Sequence, residues 1–533
     1  MAKKTTPEEL AKSYVPSEAE GKASELWADS GAFHSNPQSR QAEPFSIVIP
    51  PPNVTAALHL GHALNNTLQD VLTRYHRMAG YETMWMPGTD HAGIATQTVV
   101  EKRLISDGTS RLEIGREAFL KRTQEWKDEY EAIIINQLQA MGASCDFERT
   151  RFTMDEICAN AVRHAFFILF RDGLIYRGKR LVNWDPVTMT ALADDEVEME
   201  EVEGSMWYLK YPLDDGSGFV TVATTRPETM LGDTAVAVNP NDEENSALVG
   251  KLIRLPIVDR LIPIISDDYV IMADPDSEEA KARFASGFLK VTPGHDPNDW
   301  DIGLRHDLPV INVLGPDATI STHYGWDDAN EEASKFIGLS REQAREAIVS
   351  WFEDNELLDD VKPYTHAVGH SYRSHVPIEP WLSSQWYVAV TDDRLRGSAL
   401  RAQDSAQVPS LPDDVSPRST QEGDGGLSFF PPRYARTYHS WHEGIRDWCI
   451  SRQLWWGHQI PVWVRLTPES ESPIDLNLNH SDNGTHIESD WTKKGAAHMV
   501  RKVGEGMVEE AICIPPESTL KRLNLAIEIS EVD

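Results

Sequence analysis

Cysteine is scarce in this chain of 533 residues, and its four copies form no CxxC pair: Cys145, Cys158, Cys449 and Cys513. Such scattered thiols indicate neither a disulfide framework nor a cysteine zinc knuckle. No apolar run approaches the length of a membrane span, and residues 1–25 lack the apolar core of a signal peptide. We therefore expect a cytoplasmic protein with reduced thiols and no membrane contact.

Basic residues are outnumbered, with 50 Lys and Arg against 84 Asp and Glu, which gives a formal net charge of −34. A charge of this size repels polyanions at long range, so nucleic-acid binding would need local basic patches. Two basic clusters lie at residues 171–180 and 433–436. The sequence leaves open whether the acidity reflects a salty habitat or a missing basic domain.

The most informative stretch is Phe45–Gly93. A β-branched apolar run ends at three prolines, which cannot donate to a sheet ladder, so a strand is predicted to end there. A second strand is predicted over Tyr81–Met86, followed by the polar loop Gly88–Gly93. Two successive strand-to-helix loops of this kind indicate a site at the carboxyl edge of a parallel sheet. Between the strands, steps of three and four predict a helix with one apolar stripe: Leu60, Leu64, Leu68, Val71, Tyr75 and Met78.

Two histidines fall in the first turn of that predicted helix. His59 and His62 are three residues apart, so their rings leave the same face, and Gly61 leaves the backbone between them uncovered. A helix start offers unpaired N–H groups and a partial positive charge, which suit a phosphate. The pattern indicates a nucleotide site. A partly exposed histidine pair without a chemical role is the alternative.

Around these residues the sequence resembles a known family. PNVTAALHLGH (Pro52–His62) resembles the HIGH signature of class I aminoacyl-tRNA synthetases, and the stretch through GTDHAGIATQ (Gly88–Gln97) is similar to the valyl-tRNA synthetases. The resemblance implies an α/β fold with a Rossmann-like nucleotide-binding domain. It also implies that ATP, with Mg²⁺ held largely by phosphate oxygens and water, activates L-valine for transfer to tRNA(Val).

The same resemblance assigns residues to this site. It makes His59 and His62 the catalytic groups on the ATP phosphates and adds Asn53 and Gly61 to the ATP site. It places Pro51 in the amino-acid site. Asp90 is expected to bind the valine ammonium group, with His91 and Gly93 forming the neighbouring wall.

A strand-rich block from about residue 200 to residue 365 predicts an inserted domain. It contains two polar segments, TTRPETMLGDTAVAV (Thr224–Val238) and LKVTPGHDPNDWDIG (Leu289–Gly303). A carboxylate that faces hydroxyls and a lysine can hold an ammonium group and position a water against an ester. Two loops of solvated charges are the alternative.

Both segments resemble the editing motifs of the valyl, isoleucyl and leucyl synthetases. The resemblance puts Thr229, Lys290 and Asp296 in a pocket that hydrolyses mischarged threonyl-tRNA, with Arg226 and Glu228 in support. It leaves open whether Asp296 contacts the α-amino group or the threonine hydroxyl. It also leaves open whether Lys290 contacts the tRNA end or the pocket wall.

After the insert, Phe429–Trp463 (with DWCISRQLWWGHQIP) resembles the class I segment that returns to the nucleotide fold. Beyond Arg465 the resemblance fails, and neither a KMSKS loop nor a helical anticodon-binding domain is found. We therefore expect a fragment, or a product cut short or split. An editing-only hydrolase and an inactive tRNA-binding remnant remain alternatives.

Five divisions of the chain are predicted. They are an extension (1–43), the first half of the catalytic domain (44–199), the editing insert (200–366), the return to the catalytic domain (367–464) and a divergent segment (465–533). Helices are predicted within 110–142, where Gly142 is the C-cap, and within 151–178, with a stop at Asp172-Gly173. Residues 405–426 are predicted to form an exposed loop. We expect a monomer. We expect no structural zinc, because three histidines near the return lack cysteine partners: His366, His370 and His375.

Overall fold

The computed structural model describes residues 15–39, 42–407, 426–468, 485–493, 495–503 and 507–516. The described chain divides into two compact units. One comprises the residues up to Phe167 together with Leu454–Pro461, and the other comprises Ile168–Gln453 and Val462–Ile514. Both contain helices and short sheets, which agrees with the predicted α/β class. No helix within these ranges is long and apolar enough to cross a membrane.

The first unit is built on parallel strand pairs. Strands β1 and β2 pair in parallel with Phe45 opposite Thr83, and β3 pairs in parallel with β4. A parallel pair requires a crossover, which α2 supplies between β1 and β2. The elements are α1 (Pro16–Ser30), β1 (Pro44–Val48), α2 (Leu60–Met78), β2 (Glu82–Met86), β3 (Gly88–Thr89), α3 (Gly93–Ser106), α4 (Arg111–Ile114), α5 (Arg116–Ala140) and β4 (Arg151–Phe152), followed by α6 (Glu156–Arg171).

Helix α2 confirms the predicted helix, but its apolar stripe faces outward. All six residues of the stripe are between 59% and 89% exposed, whereas the buried residues of α2 are Asn66 and Thr73. The inner side of α2 is held by polar contacts: Trp85 Nε1 donates to Gln69 Oε1 at 3.1 Å, and the Ser144 N–H donates to Asp70 Oδ1 at 2.9 Å. Periodicity therefore identified the helix but not the face that the chain covers.

The other two predicted helices differ from expectation in their bounds. The pattern at residues 110–142 forms two helices, α4 and α5, because Gly115 takes a left-handed φ of +80° between them. Gly142, with φ +75°, follows the end of α5 as predicted. Helix α6 ends before Gly173, which has φ +73°, and this confirms the predicted stop.

The second unit contains most of the strands. Its described elements are β5 (Ile175–Asp185), β6 (Thr190–Leu192), β7 (Val197–Pro212), β8 (Phe219–Thr224), β9 (Ala235–Val238), β10 (Leu252–Arg254), β11 (Leu261–Ser266), α7 (Ala280–Phe284), β12 (Phe288–Val291), α8 (Pro297–His306), α9 (Arg341–Asp354), β13 (Leu358–Ser371), β14 (Glu379–Val388), α10 (Ser398–Arg401), α11 (Arg433–Glu443), β15 (Trp448–Cys449), β16 (Val462–Pro468), β17 (Thr485–His486), α12 (Asp490–Lys493), β18 (Ala497–Lys502) and β19 (Met507–Cys513). Among these residues the four sheets have the strand orders β15-β14-β5-β6, β13-β7-β8, β10-β11-β9-β12 and β16-β19-β18-β17.

The strand-rich block expected between residues 200 and 365 is present. Strand β7 leads into it, and β13 leads out of it as the antiparallel partner of β7. Inside, all four residues of β9 are buried, and β9 lies between β11 and β12. The block also contains α8 and α9, which the sequence analysis did not predict. The capping box of Ser340 and Gln343 at the start of α9 was the overlooked signal.

The described residues after Arg465 contain strands. Strands β16 to β19 form a sheet that buries the pair Arg501–Glu509, with Arg501 Nε 2.6 Å from Glu509 Oε1. Most of the predicted exposed loop Ser405–Gly426 lies outside the described residues, as do parts of the divisions 1–43 and 465–533.

The contrast between the core and the face of α2 is testable. Leu138 in α5 is 0% exposed, whereas Leu68 in α2 is 59% exposed. Leu138→Ala should lower the free energy of unfolding by about 2–5 kcal/mol because it leaves a cavity. Leu68→Ala should change it by less than about 0.5 kcal/mol. Urea denaturation of the two variants would measure both values, and losses of similar size would contradict the outward orientation of α2.

Candidate functional site

The loops that follow β1 and β2 are joined by backbone hydrogen bonds in the first unit. The Ile49 N–H donates to the Met86 carbonyl at 2.9 Å, the Asp90 N–H to the Pro52 carbonyl at 2.8 Å and the Val54 N–H to the Asp90 carbonyl at 3.1 Å. This pairing extends the parallel ladder past the strand ends and brings Asn53 beside Asp90. The exposed Pro51 precedes Asn53. Two predicted site residues from different loops therefore lie side by side.

The two histidines cap the start of α2. His59 Nδ1 accepts the Gly61 N–H at 3.1 Å, and His62 Nδ1 accepts the His59 N–H at 3.2 Å. With each Nδ1 an acceptor, each neutral ring carries its proton on Nε2 and keeps one donor. A side chain at Gly61 would meet the His59 ring at 2.9 Å, which explains the glycine between the histidines.

The protonation of His62 follows from its surroundings. The ring centroids of His59 and His62 lie 3.9 Å apart. Partial burial, and then repulsion by His59, lower the pKa of His62. Near neutral pH, His62 therefore acts as a neutral hydrogen-bond donor rather than as a fixed cation.

Asp90 is held as a carboxylate. Its Oδ1 accepts the Thr153 hydroxyl at 2.8 Å and the Ala92 N–H at 3.2 Å, and it lies 3.2 Å from His91 Nδ1. Partial burial raises the pKa of Asp90, but the hydrogen bonds from His91, Thr153 and Ala92 outweigh that effect, so the pKa is below its ordinary value. An ionised, partly exposed carboxylate of this kind suits an ammonium group.

The segment Leu454–Pro461 lies against this loop. Trp456 Nε1 donates to the His91 carbonyl at 3.0 Å, and a side chain at Gly93 would approach the Trp456 carbonyl at 3.1 Å. Gln97 Oε1 accepts the N–H groups of Trp455 and Trp456 at 2.9 and 3.2 Å. His458 Nε2 lies 3.1 Å from the Thr153 carbonyl, and its ring lies 5.0 Å from that of His91. The sequence analysis gave no role to Gln97 and did not single out Thr153.

In the second unit, the two polar segments of the insert meet around Lys290. The ammonium group donates to Thr229 Oγ1 at 3.0 Å and to Thr292 Oγ1, and it lies 3.0 Å from Asp233 Oδ1. Thr229 lies on a short 3₁₀ helix, Pro227–Gly232, and Lys290 lies on β12. Burial raises the pKa of Asp233, an effect that the Lys290 ammonium and hydrogen-bonding hydroxyls oppose. Sequence reasoning missed both Asp233 and Thr292.

Arg226 and Glu228 belong to a buried ion-pair network beside these residues. Arg345 binds the fully buried Glu228 through two bonds of 2.8 Å, and Arg226 Nε donates to Glu228 at 3.3 Å. Arg226 also donates to the His295 carbonyl at 3.1 Å and pairs with Glu379. Arg226 therefore ties the first polar segment to the second. No local pattern predicted the partners on α9 and β14.

Asp296 and Asp299 lie at the start of α8. Asp296 is half-buried and accepts the N–H groups of Asn298 and Asp299 at 2.8 and 3.2 Å. Asp299 is buried, and its Oδ2 accepts the Thr292 N–H at 2.8 Å. Burial, and then the charge of Asp296, raise the pKa of Asp299 to about 7. Asp296 is the more exposed of the two carboxyl groups, and it is the one that the resemblance placed in the pocket.

The histidine in the second segment is not a base. His295 is buried, its Nε2 accepts the Val313 N–H at 2.9 Å, and burial followed by the charge of Arg226 lowers its pKa to about 3. It is therefore neutral, with its proton on Nδ1. The preceding Gly294 is required by packing, since a side chain there would lie 2.4 Å from the Ile311 carbonyl.

Two serines near the predicted return to the catalytic domain bond to a buried carboxylate. The hydroxyls of Ser371 and Ser374 donate to Asp185 Oδ2 at 2.7 and 2.9 Å, and His370 Nδ1 lies 3.0 Å from the Val368 carbonyl. Within the described residues, no group of three or more His, Cys, Asp or Glu side chains is placed to hold a metal ion. The absence of structural zinc remains a prediction.

Comparison with known proteins gives a match to one protein family. The model of the class I tRNA synthetases (I, L, M and V) matches residues 22–510. A valine–tRNA ligase of Protochlamydia amoebophila is 50% identical over 484 residues, covering 91% of this chain and 47% of that protein. Those of Carboxydothermus hydrogenoformans and Geobacillus stearothermophilus are 49% and 48% identical, each covering 84% of this chain and 46% and 47% of the relative. The chain thus spans about half the length of these relatives.

A solved LeuRS–tRNA–LeuAMS complex from Agrobacterium radiobacter K84 aligns with 94% of this chain and 58% of that chain. Its TM-score is 0.37 and its identity 16%, values too low to support an argument.

The raised pKa of Asp299 predicts a pH effect on stability. Between about pH 4 and pH 7 the folded chain holds a proton that the unfolded chain releases, so stability falls as the pH rises through that window. Asp299→Asn keeps an acceptor for the Thr292 N–H and removes the titration. Between pH 5 and pH 8, the unfolding free energy of the wild type should fall by about 2 kcal/mol more than that of the variant.

Urea denaturation at both pH values measures this difference. Asp301→Asn, at an exposed position of the same helix, is the matched control and should show no such change. An equal effect of Asp299→Asn at pH 5 and pH 8 would contradict the assignment.

Proposed function

The chain belongs to the class I tRNA synthetases, as the resemblance predicted, and from this membership we propose that it carries two sites of a valine–tRNA ligase. One site binds ATP and L-valine, and the other hydrolyses threonyl-tRNA(Val). The observation that carries the proposal is the junction of the two loops, which brings Asn53 beside Asp90 ahead of a helix capped by His59 and His62. The chain is about 50% identical to valine–tRNA ligases across most of its length.

In the proposed activation step, positioning and charge stabilisation do the chemical work. The Asp90 carboxylate binds the valine ammonium group, next to Pro51. The valine carboxylate attacks the α-phosphorus of ATP, and pyrophosphate leaves. The Nε2–H groups of His59 and His62 stabilise negative charge on the phosphates, and Asn53 and Gly61 complete the ATP site. The terminal ribose hydroxyl of tRNA(Val) then attacks the carbonyl carbon of the resulting valyl adenylate, so that the valyl ester forms and AMP leaves.

Mg²⁺ is proposed to accompany ATP and to neutralise its phosphates. A cage of protein carboxylates is not required, because Mg²⁺ in such sites is held mainly by phosphate oxygens and water. We further propose a cytoplasmic monomer, since the reaction needs the pools of tRNA, valine and ATP that serve protein synthesis.

The proposed editing pocket would correct the poor discrimination between valine and threonine. A hydrophobic site shaped for valine rejects the isosteric threonine by only about a hundredfold. A second site that accepts the hydroxyl removes the error. In our proposal Thr229, Lys290 and Asp296 line this pocket, with Arg226 and Glu228 as supporting residues in the buried ion-pair network.

A second candidate is a chain that retains only the editing hydrolase. It is favoured by one observation: Thr229, Lys290 and Asp296 all lie within a single compact unit, which also contains their supporting residues. A third reading, a tRNA-binding remnant without activity, would bind tRNA but hydrolyse nothing. Hydrolysis of threonyl-tRNA distinguishes the editing hydrolase from the inactive tRNA-binding remnant. Valine-dependent pyrophosphate exchange distinguishes the valine–tRNA ligase from both.

The histidine pair gives one prediction. Replacing both His59 and His62 by alanine should weaken ATP binding by at least about tenfold and abolish valine-dependent ATP–pyrophosphate exchange, because phosphate donors in a preorganised site are worth about 3 kcal/mol each. Calorimetry and an exchange assay measure the two effects. His164→Ala, at an exposed position of α6, is the control. Unchanged ATP affinity in the double variant would exclude the assigned role.

Asp296 gives a second prediction, and its helix cap requires two variants. Asp296→Asn keeps a good cap for α8, whereas Asp296→Ala removes it. If the charge binds substrate, both variants should hydrolyse threonyl-tRNA(Val) about a hundredfold more slowly, as after loss of one preorganised electrostatic contact, with ATP binding unchanged. Hydrolysis at the wild-type rate by Asp296→Asn would show that the cap, not the charge, is needed.

A further inference from the structure

The ammonium group of Lys290 directs all of its N–H donors to other groups of the protein. An ammonium group has three N–H donors, and three acceptors surround it: Thr229 Oγ1 and Asp233 Oδ1, each at 3.0 Å, and Thr292 Oγ1. The residue is only 7% exposed. Lys290 therefore has no donor in reserve for a bound substrate. Any contribution it makes to the pocket passes through the groups that it holds.

Both hydroxyls that Lys290 holds can accept one further hydrogen bond, Thr292 as well as Thr229, and the resemblance places only Thr229 in the editing pocket. The Thr229 hydroxyl donates to the Arg226 carbonyl at 3.1 Å and accepts from Lys290. A hydroxyl has one hydrogen and two lone pairs, so one lone pair remains. Thr229 thus offers an acceptor, and not a donor, to a group in the pocket. The ammonium and hydroxyl groups of a threonyl ester are both suitable donors.

Asp233 in turn holds Lys290. It is 0% exposed, and besides Lys290 it accepts the Thr292 hydroxyl at 2.6 Å and the Tyr211 hydroxyl at 2.8 Å. Tyr211 is also fully buried, so the carboxylate is fixed from both of its oxygens. Asp233 is followed by the buried strand β9, which pairs with the strand that carries Lys290. The carboxylate therefore lies in the buried interior of the insert.

We propose that Asp233 is a positioning residue of the editing pocket, whose carboxylate holds the Lys290 ammonium so that this ammonium fixes the Thr229 hydroxyl as an acceptor for the threonyl group. The inference rests on the proposed editing function. It differs from a purely stabilising ion pair, because the pair then sets the geometry of the hydroxyl that is proposed to contact the threonyl group.

Asp233→Asn tests the proposal in the full chain. It preserves the size of the side chain and removes the charge that orients Lys290. For hydrolysis of threonyl-tRNA(Val), we expect kcat to fall about tenfold or more with KM within about twofold, since the loss is one of alignment. Val236→Ala is the matched control: Val236 is 0% exposed and pairs with Lys290 across the sheet, but it does not contact the carboxylate.

The control should keep kcat and KM within about twofold of the wild type, because it trims packing and leaves the ion pair intact. Wild-type kcat in Asp233→Asn would overturn the proposal. An equal fall of kcat in Val236→Ala would also overturn it, because the effect would then follow stability rather than position.

A second readout does not depend on hydrolysis. Acetylation of Lys290 by an N-hydroxysuccinimide ester, followed by mass spectrometry, should be about tenfold faster in Asp233→Asn than in the wild type or in Val236→Ala, because the amine is no longer held. If the wild type fails to hydrolyse threonyl-tRNA, the proposed function fails, and the labelling still decides the role of Asp233. Unchanged labelling overturns it.

Tyr211→Phe serves if Asp233→Asn does not fold. It removes one donor to Asp233 and keeps the ring, so kcat should fall about threefold, the effect of roughly one hydrogen bond, with faster labelling of Lys290. Wild-type kcat and wild-type labelling in Tyr211→Phe would overturn the proposal.

Discussion

Charge buried in the strand-rich insert has to be neutralised where it lies, and the arrangement of the second unit depends on this constraint. An unpaired buried ion costs several kcal/mol, so each cation must meet an anion with good geometry. Lys290 meets Asp233, and Arg226 meets Glu228 and Glu379. The two polar segments are therefore complementary halves of one structure. Their residue types make sense only together, because each segment supplies partners for buried polar groups of the other.

The candidate site at the start of α2, in the first unit, is arranged differently. Its groups are largely exposed, and they are placed by the backbone rather than by ion pairs. The hydrogen bonds that join the Pro52 and Asp90 loops set the positions of Asn53 and Asp90, and the histidine cap sets the start of α2. Such a site depends on the parallel strand pair beneath it. The fully buried Trp85 of β2 and Leu138 of α5 belong to one core cluster that supports this pair.

Features that depend on neighbouring residues, such as strand ends and helix spacing, were predicted from the sequence. Prolines after β1, the spacing of α2, the Gly173 stop and the resemblance around His59 all led to the α/β class and to the family. Local rules cannot say which face of a helix the chain covers, so the exposed stripe of α2 was not predicted. They also cannot identify partners that are distant in sequence. Asp233 contacts Lys290, and Arg345 contacts Glu228, only once the chain has folded. The raised pKa of Asp299 was not predicted because it arises from burial, which no local pattern reveals.

The central claim is that the insert of this chain is a preformed pocket for the threonyl ester. The most direct measurement is the rate at which the unmodified chain hydrolyses threonyl-tRNA(Val) and valyl-tRNA(Val), compared under single-turnover conditions. A pocket that presents Thr229 as an acceptor and Asp296 as a carboxylate should hydrolyse the threonyl ester at least about tenfold faster, because the threonine hydroxyl supplies a hydrogen bond that valine lacks. Equal rates for the two esters, or no hydrolysis of either, would contradict the account.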